Sequence, residues 1–273
     1  FVVVGPAYGL VLVALSAASF LVGGHHSLRI EPEVEGVPAP EMSLRLAAEV
    51  AADEAILSTM SLGTRLPSGD DLKRIRREIE EARAQFAAEG WLEKPAQYHL
   101  APPPLTSPQL RASRSRGLDY EHLSFESGYE PHPGEVGRER WLGYARNRTA
   151  HAWLVRGDPE QPWLVCIHGY QMGTPAVDLA AFQAARLHRE LGLNLLLPVL
   201  PLHGPRKHAR VSGTGFISSD FLDTVHAEAQ AMWDLRRLLG WIRAQGAPRV
   251  GVTGLSLGGY QTALLAGLDG DLD

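Results

Sequence analysis

Near the end of the sequence stands Gly254-Leu255-Ser256-Leu257-Gly258, with Gly259 directly after it. A serine hydroxyl is a weak nucleophile and attacks a carbonyl only when it is held exposed beside a base. A Gly-x-Ser-x-Gly elbow achieves this with a tight strand-to-helix turn, whose flanking glycines keep the strained backbone free of clashes. Five residues match such a pattern by chance in many sequences, so the surroundings decide. Here the apolar run Val250-Gly251-Val252-Thr253 predicts a strand before the motif, and Tyr260 to Leu268 predicts a helix after it.

Two further motifs follow apolar runs. His168-Gly169-Tyr170-Gln171-Met172-Gly173 comes after Trp163-Leu164-Val165-Cys166-Ile167. A tetrahedral intermediate needs two backbone N–H groups aimed at its oxyanion. Leu257, just past the serine, would supply one, and Tyr170 in this loop the other. His168 and Gly169 would line the same site, with His168 shaping the loop by hydrogen bonding and transferring no proton. The third motif is Pro198-Val199-Leu200-Pro201-Leu202-His203-Gly204-Pro205-Arg206. Turns at the carboxyl ends of parallel strands belong to the face where ligands bind. His203 therefore either lines the site or packs its own turn.

In this order the three motifs resemble the α/β-hydrolase superfamily. The pair His168-Gly169-Tyr170 and Pro201-Leu202-His203-Gly204-Pro205-Arg206 looks most like the branch containing α/β-hydrolase domain-containing protein eighteen. The resemblance covers residues 118–270. It implies a serine-dependent acyl-transfer enzyme, such as an esterase, lipase, thioesterase or peptidase, working through an acyl-enzyme on Ser256. It implies a small-molecule acyl substrate, no metal and no organic cofactor, and the apolar segment at the start of the sequence adds a lipid-like substrate to the candidates. It also implies the chain order nucleophile, acid, histidine. No histidine follows Ser256, and Asp269, Asp271 and Asp273 come too soon to be the acid. The sequence thus reads as C-terminally truncated, inactive by itself, with its base and acid expected beyond residue 273. An upstream base at His203, His208 or His226 would break the expected order. The rival reading is a non-catalytic α/β-hydrolase-like protein that binds a partner or ligand, since fold does not fix function.

The elements that must position these motifs can be read from periodicity. Strands are expected at 120–126, 140–146, 150–155, 163–167, 193–199 and 249–253. A helix is expected at 175–191, with Thr174 as cap, Pro175 first and Gly192 past its end. A longer one spans 222–245, with Val225, Ala229, Met232, Leu235, Leu239 and Ile242 on one face. Apolar strands alternating with amphipathic helices predict an α/β fold, a mostly parallel sheet covered on both faces. Upstream, Ser43 to Met60 reads as a helix. A second helix carries Leu72, Ile75, Ile79, Ala82 and Phe86 on one stripe, with Ser68 and Asp71 as a capping box and Gly90 as its stop. Its charged face, which includes Arg74 and Glu78, reads as solvated surface.

The expected organisation is an apolar segment at 1–24, a linker and helical section at 25–117, and the hydrolase core at 118–273. Phe1 to Gly24 carries no charge and is long enough to cross a bilayer core roughly 30 Å thick. Three readings compete for it: a membrane anchor, the tail of a signal sequence, or a buried hairpin. Residues 31–42, rich in proline and glutamate, read as a linker. The net charge of -5 gives no polycationic footprint for nucleic acid. A single cysteine, Cys166, excludes an internal disulfide and a four-thiolate metal site, and its apolar run marks it as a buried strand residue. The histidines are scattered, with no His-Glu-x-x-His, so no metal site is expected.

Overall fold

A computed structural model of the protein describes residues 6–30, 36, 41, 43–61, 67–270 and 272. The chain forms two compact units, Phe1–Leu66 and Pro67–Asp273. The first holds helices α1 (Pro6–Ile30) and α2 (Leu44–Ser61). They meet where small residues let backbones approach: a Cβ on Gly24 would lie 2.3 Å from Ala47 O and 3.2 Å from Ala51 Cβ. Among the described residues no helix is long and apolar enough to cross a membrane, so the anchor reading of residues 1–24 gains no support. Residues 1–5, and all of the 31–42 linker but positions 36 and 41, lie outside the described residues.

The second unit opens with α3 (Gly69–Ala88). Its capping box forms as the sequence predicts, with Ser68 Oγ accepting from Asp71 N at 3.2 Å and Ser68 N donating to Asp71 Oδ2 at 2.9 Å. Gly90 follows the helix at φ +74. The buried face differs from the predicted stripe. Ile75 and Ala82 are buried, whereas Leu72 and Ile79 are exposed. Glu78, expected in solvent, is buried between Arg74 and Arg140. Arg140 also pairs with Asp220 and Asp223, so charge pairing across the chain sets the rotation of α3.

Six strands follow: β1 (Gln109–Ser115), β2 (Leu118–Glu126), β3 (Thr149–Val155), β4 (Trp163–Ile167), β5 (Asn194–Val199) and β6 (Val250–Gly254). They form one sheet in the order β1-β2-β3-β5-β4-β6. The sheet is mixed, correcting the mostly parallel expectation: β1/β2, β2/β3 and β3/β5 are antiparallel, while β4 is parallel to β5 and to β6. Connections explain the difference. Arg116 and Gly117, at φ 49 and 77, close β1 onto β2 as a two-residue turn of the primed kind. The link from β3 to β4 (residues 156–162) is too short for a parallel crossover, which needs about a dozen residues or more. The parallel strands do have helical crossovers: α5 (Pro175–Ala181) and α6 (Ala184–Arg189) link β4 to its neighbour β5, and α7 (Phe221–Ala244) carries the chain from β5 past β4 to β6.

Two elements differ further from expectation. The 140–146 segment is not a strand. Helix α4 (Arg138–Leu142) and a 3-10 turn at Ala145–Arg148 occupy it, with Trp141 buried and Tyr144 packed edge-on against its ring. The helix expected at 175–191 is broken at Gln183, whose φ is +50.

β5 is buried on both sides. Leu196 joins Val165, Ile167, Ala152 and Leu154 in one core. Leu195, Leu197 and Val199 join Trp153, Val155 and Cys166 in the other. α7 covers the first face with Met232, Leu235, Leu239 and Ile242, all essentially inaccessible. Each such side chain stabilises the fold by roughly 1.5–3 kcal/mol relative to exposure. Cys166 is fully buried, and burial pushes its thiol up to about 12, which keeps it an inert apolar group.

Candidate functional site

β6 ends at Gly254, and α8 (Leu257–Leu268) starts three residues later. Ser256 bridges them at φ 53, ψ −116, with its side chain exposed. Such a conformation costs a non-glycine residue on the order of 1–3 kcal/mol and persists only where neighbours over-determine it. The neighbours here are main-chain atoms. A Cβ on Gly254 would lie 2.1 Å from Gly258 C, and one on Gly258 would lie 1.9 Å from Ile167 O. Both positions therefore exclude any side chain. Leu255 N donates to Ile167 O at 3.0 Å, fastening the elbow to the end of β4.

The loop after β4 lies against this elbow. A Cβ on Gly169 would fall 3.1 Å from Leu255 O and 3.5 Å from Ser256 Cβ. Among the described residues, neither the Leu257 nor the Tyr170 amide N–H has a hydrogen-bond acceptor. Unpartnered backbone amides are the kind of donor an oxyanion requires.

His168 is buried and fully engaged: Nε2 accepts from Leu200 N at 3.1 Å, so Nδ1 donates to Gly169 O at 2.8 Å. Burial holds the ring neutral, well below the usual histidine range. His203 packs edge-on against it, with ring centroids 4.9 Å apart, and also touches Tyr170 and Phe216. It is inaccessible, its Nδ1 donates to Pro201 O at 2.8 Å, and burial beside His168 pushes it down to about 3. The structure thus gathers the expected residues into one contiguous cluster: Ser256, Leu257, Gly169 and Tyr170 at the elbow, with His168 and His203 packed beside them.

Several positioning residues carry no motif. Asp178 on α5 is inaccessible, accepting from Gly173 N at 3.0 Å and Trp153 Nε1 at 2.8 Å. Its place in the first turn of a helix after a loop was its one visible signal. Ser212 Oγ accepts from Gly204 N at 2.8 Å and donates to Met172 O at 2.5 Å, tying the two loops together. Arg206 is inaccessible and donates to Val199 O, Asn147 O and Asp234 Oδ2 at 3.0, 3.0 and 2.9 Å. Desolvation pushes Arg206 down and Asp234 up, so the pair holds through hydrogen bonds, with Ser127 Oγ donating to Asp234 Oδ1 at 2.6 Å.

No histidine among the described residues hydrogen-bonds the Ser256 hydroxyl. His208 stacks on Tyr144, and His226 donates to Val136 O at 3.0 Å. His122 and His151 bond one another at 2.8 Å, but no cluster of three or more metal-ligating side chains occurs among the described residues.

No family model matches the chain. It is 44% identical over 236 residues to an uncharacterized protein of Mycobacterium tuberculosis strain CDC 1551 / Oshkosh, covering 85% of this chain and 57% of that protein. An uncharacterized protein of strain ATCC 25618 / H37Rv is 43% identical over the same shares. The chain therefore spans a little over half the length of these curated relatives. Among solved structures it is similar to a cold-adapted esterase from an Arctic intertidal metagenomic library. That match has TM-score 0.40 and 18% identity, covering 61% of this chain and 63% of that one. It is also similar to acetyl xylan esterase 1 from Thermoanaerobacterium sp. JW/SL YS485, with TM-score 0.39 and 16% identity over 77% of this chain and 58% of that one.

Proposed function

We propose that the chain belongs to the α/β-hydrolase superfamily and carries the nucleophile and oxyanion hole of a serine hydrolase that cleaves an ester or related acyl bond. The observation that carries this reading is an exposed Ser256 at positive φ, with the unpartnered Leu257 amide beside it and that of Tyr170 on the adjoining loop. Ser256 Oγ attacks the substrate carbonyl and gives its proton to a base. The resulting oxyanion takes hydrogen bonds from Leu257 N and Tyr170 N, each worth roughly 3–4 kcal/mol to the barrier. Collapse expels the leaving group with a proton and leaves an acyl-enzyme, which water then hydrolyses.

The base and acid come from beyond residue 273 in this proposal. In support, His168, His203 and His226 are buried, none of them hydrogen-bonds Ser256 among the described residues, and the matched relatives are longer than this chain. His168 acts as loop support, since both its ring nitrogens are occupied. The loop pair around His168 and His203 favours the branch of α/β-hydrolase domain-containing protein eighteen. The substrate is a small-molecule or lipid-like acyl compound, and no metal or organic cofactor is required.

The test is fluorophosphonate labelling of the chain extended to the length of its relatives, beside Ser256→Ala. Labelling that vanishes in the variant supports an activated serine. A folded protein that takes no label overturns the proposal and favours a hydrolase-like binding protein.

A further inference from the structure

We infer that Glu228 and Gln261 form a carboxylic acid–amide clamp beneath the elbow, and that Glu228 is a positioning residue for the helix that presents Ser256. The positioning role rests on the proposed function; the clamp itself does not.

Glu228 lies seven residues into α7 and Gln261 four residues past the start of α8. At about 1.5 Å per residue, the two sit roughly 10 Å and 6 Å from the ends of their helices nearest the loops of the site. Gln261 is inaccessible, and its Nε2 donates to Glu228 Oε2. Its own Oε1 is buried without a partner among the described residues. A buried amide carbonyl left unpaired is a cost that native interiors rarely carry.

Among the described residues no cation compensates Glu228. The one titratable side chain on α8 is the exposed Tyr260, and β4 and β6 beneath it carry no charged residue. Along α7 the charged neighbours are engaged elsewhere: Asp223 with Arg140 and Tyr144, His226 with Val136, and Asp234 with Ser127 and Arg206. Arg236 and Arg237 donate to Leu100, Glu126 and Ser127.

An ionised carboxylate can only accept, so it leaves Gln261 Oε1 unpaired. The neutral acid supplies the missing donor: its O–H bonds Gln261 Oε1 while its carbonyl oxygen accepts from Gln261 Nε2. Terminal torsions of Glu and Gln are soft enough to bring the groups face to face. Burial independently lifts the Glu228 carboxyl to about 7, with the Gln261 hydrogen bond acting in the opposite sense. Ionisation near neutrality then removes one of the two bonds of this clamp, just over one turn below the nucleophile.

Infrared titration of the full chain, subtracting Glu228→Gln, tests the clamp without reference to activity. A protonated-carboxyl band is expected at about pH 6 and is gone by about pH 8. The folded value lies above the unfolded one, so the stabilisation is complete below about pH 4.5 and lost as pH rises through about 7. The unfolding midpoint of the wild type should fall relative to Glu228→Gln across that window. The fluorophosphonate labelling rate should fall severalfold relative to Glu228→Gln between about pH 6 and pH 8. No carboxyl band at the lower pH overturns the clamp. A band with a pH-independent rate ratio overturns the positioning role. A serine silent at every pH overturns the hydrolase reading and the positioning role with it, while the infrared titration still decides the clamp.

Discussion

Gly258→Ala probes the elbow at its tightest point. A methyl group there would lie 1.9 Å from Ile167 O and 2.8 Å from His168 O, both main-chain atoms at the end of β4. Ordinary contact begins near 3.4 Å, so the backbones must part by roughly 1.5 Å, and forced overpacking of this kind typically costs about 1–3 kcal/mol. For a unit of this size each kcal/mol shifts Tm by about 2–4 °C, so several degrees should be lost. A nucleophile displaced by about 1 Å can lose roughly a hundredfold in rate. The neighbouring Gly259→Ala is the control, because its nearest contact would be Gly254 O at 3.6 Å. That variant should unfold at or above the wild-type temperature and label with fluorophosphonate at a similar rate. Thermal unfolding and labelling rate, measured on both variants, decide the matter. If Gly258→Ala matches Gly259→Ala in both, the close packing of the elbow on β4 is not what holds Ser256.

Asp234→Asn leaves the inaccessible Arg206 charge without its carboxylate and should cost about 3–5 kcal/mol in urea unfolding. Replacing both partners together, as Arg206→Met with Asp234→Leu, should cost less than the single change; an equal or larger loss would refute the stranded-charge explanation. His203 is kept neutral in the fold, with a value of about 3 against about 6.5 unfolded. Its contribution is therefore complete above about pH 6.5 and is lost as pH falls toward about 3. His203→Gln should flatten this acid limb by about one proton taken up on unfolding, and an unchanged slope would show that His203 is accessible to protons in the folded state.

Local rules made much of the molecule legible in advance. The apolar runs at 163–167 and 193–199 became β4 and β5, and the glycine pattern around Ser256 became a strand-to-helix turn. Ser68, Asp71 and Gly90 bound α3 as their side chains and backbone freedom dictate. Each of these depends on atoms within a few residues of one another, which is the range over which sequence spacing translates directly into geometry. The 140–146 segment shows where that range ends. Its pattern suited a strand, but burial of Trp141 and the bonds of Arg140 to Glu78, Asp220 and Asp223 favour a helical turn.

The sequence by itself determined the nucleophile candidate and the loop beside it, helices α2, α3, α7 and α8, and most of the strands. Only the tertiary structure decided that the sheet is mixed, that Ser212 bonds Met172 across the two loops, and that Trp153 donates to Asp178. The same is true of Arg206 resting on Asp234 and Glu228 meeting Gln261. The reason is physical. These partners lie far apart along the chain, and each bond exists because folding withdraws both groups from water at one place. No spacing rule encodes that coincidence in space.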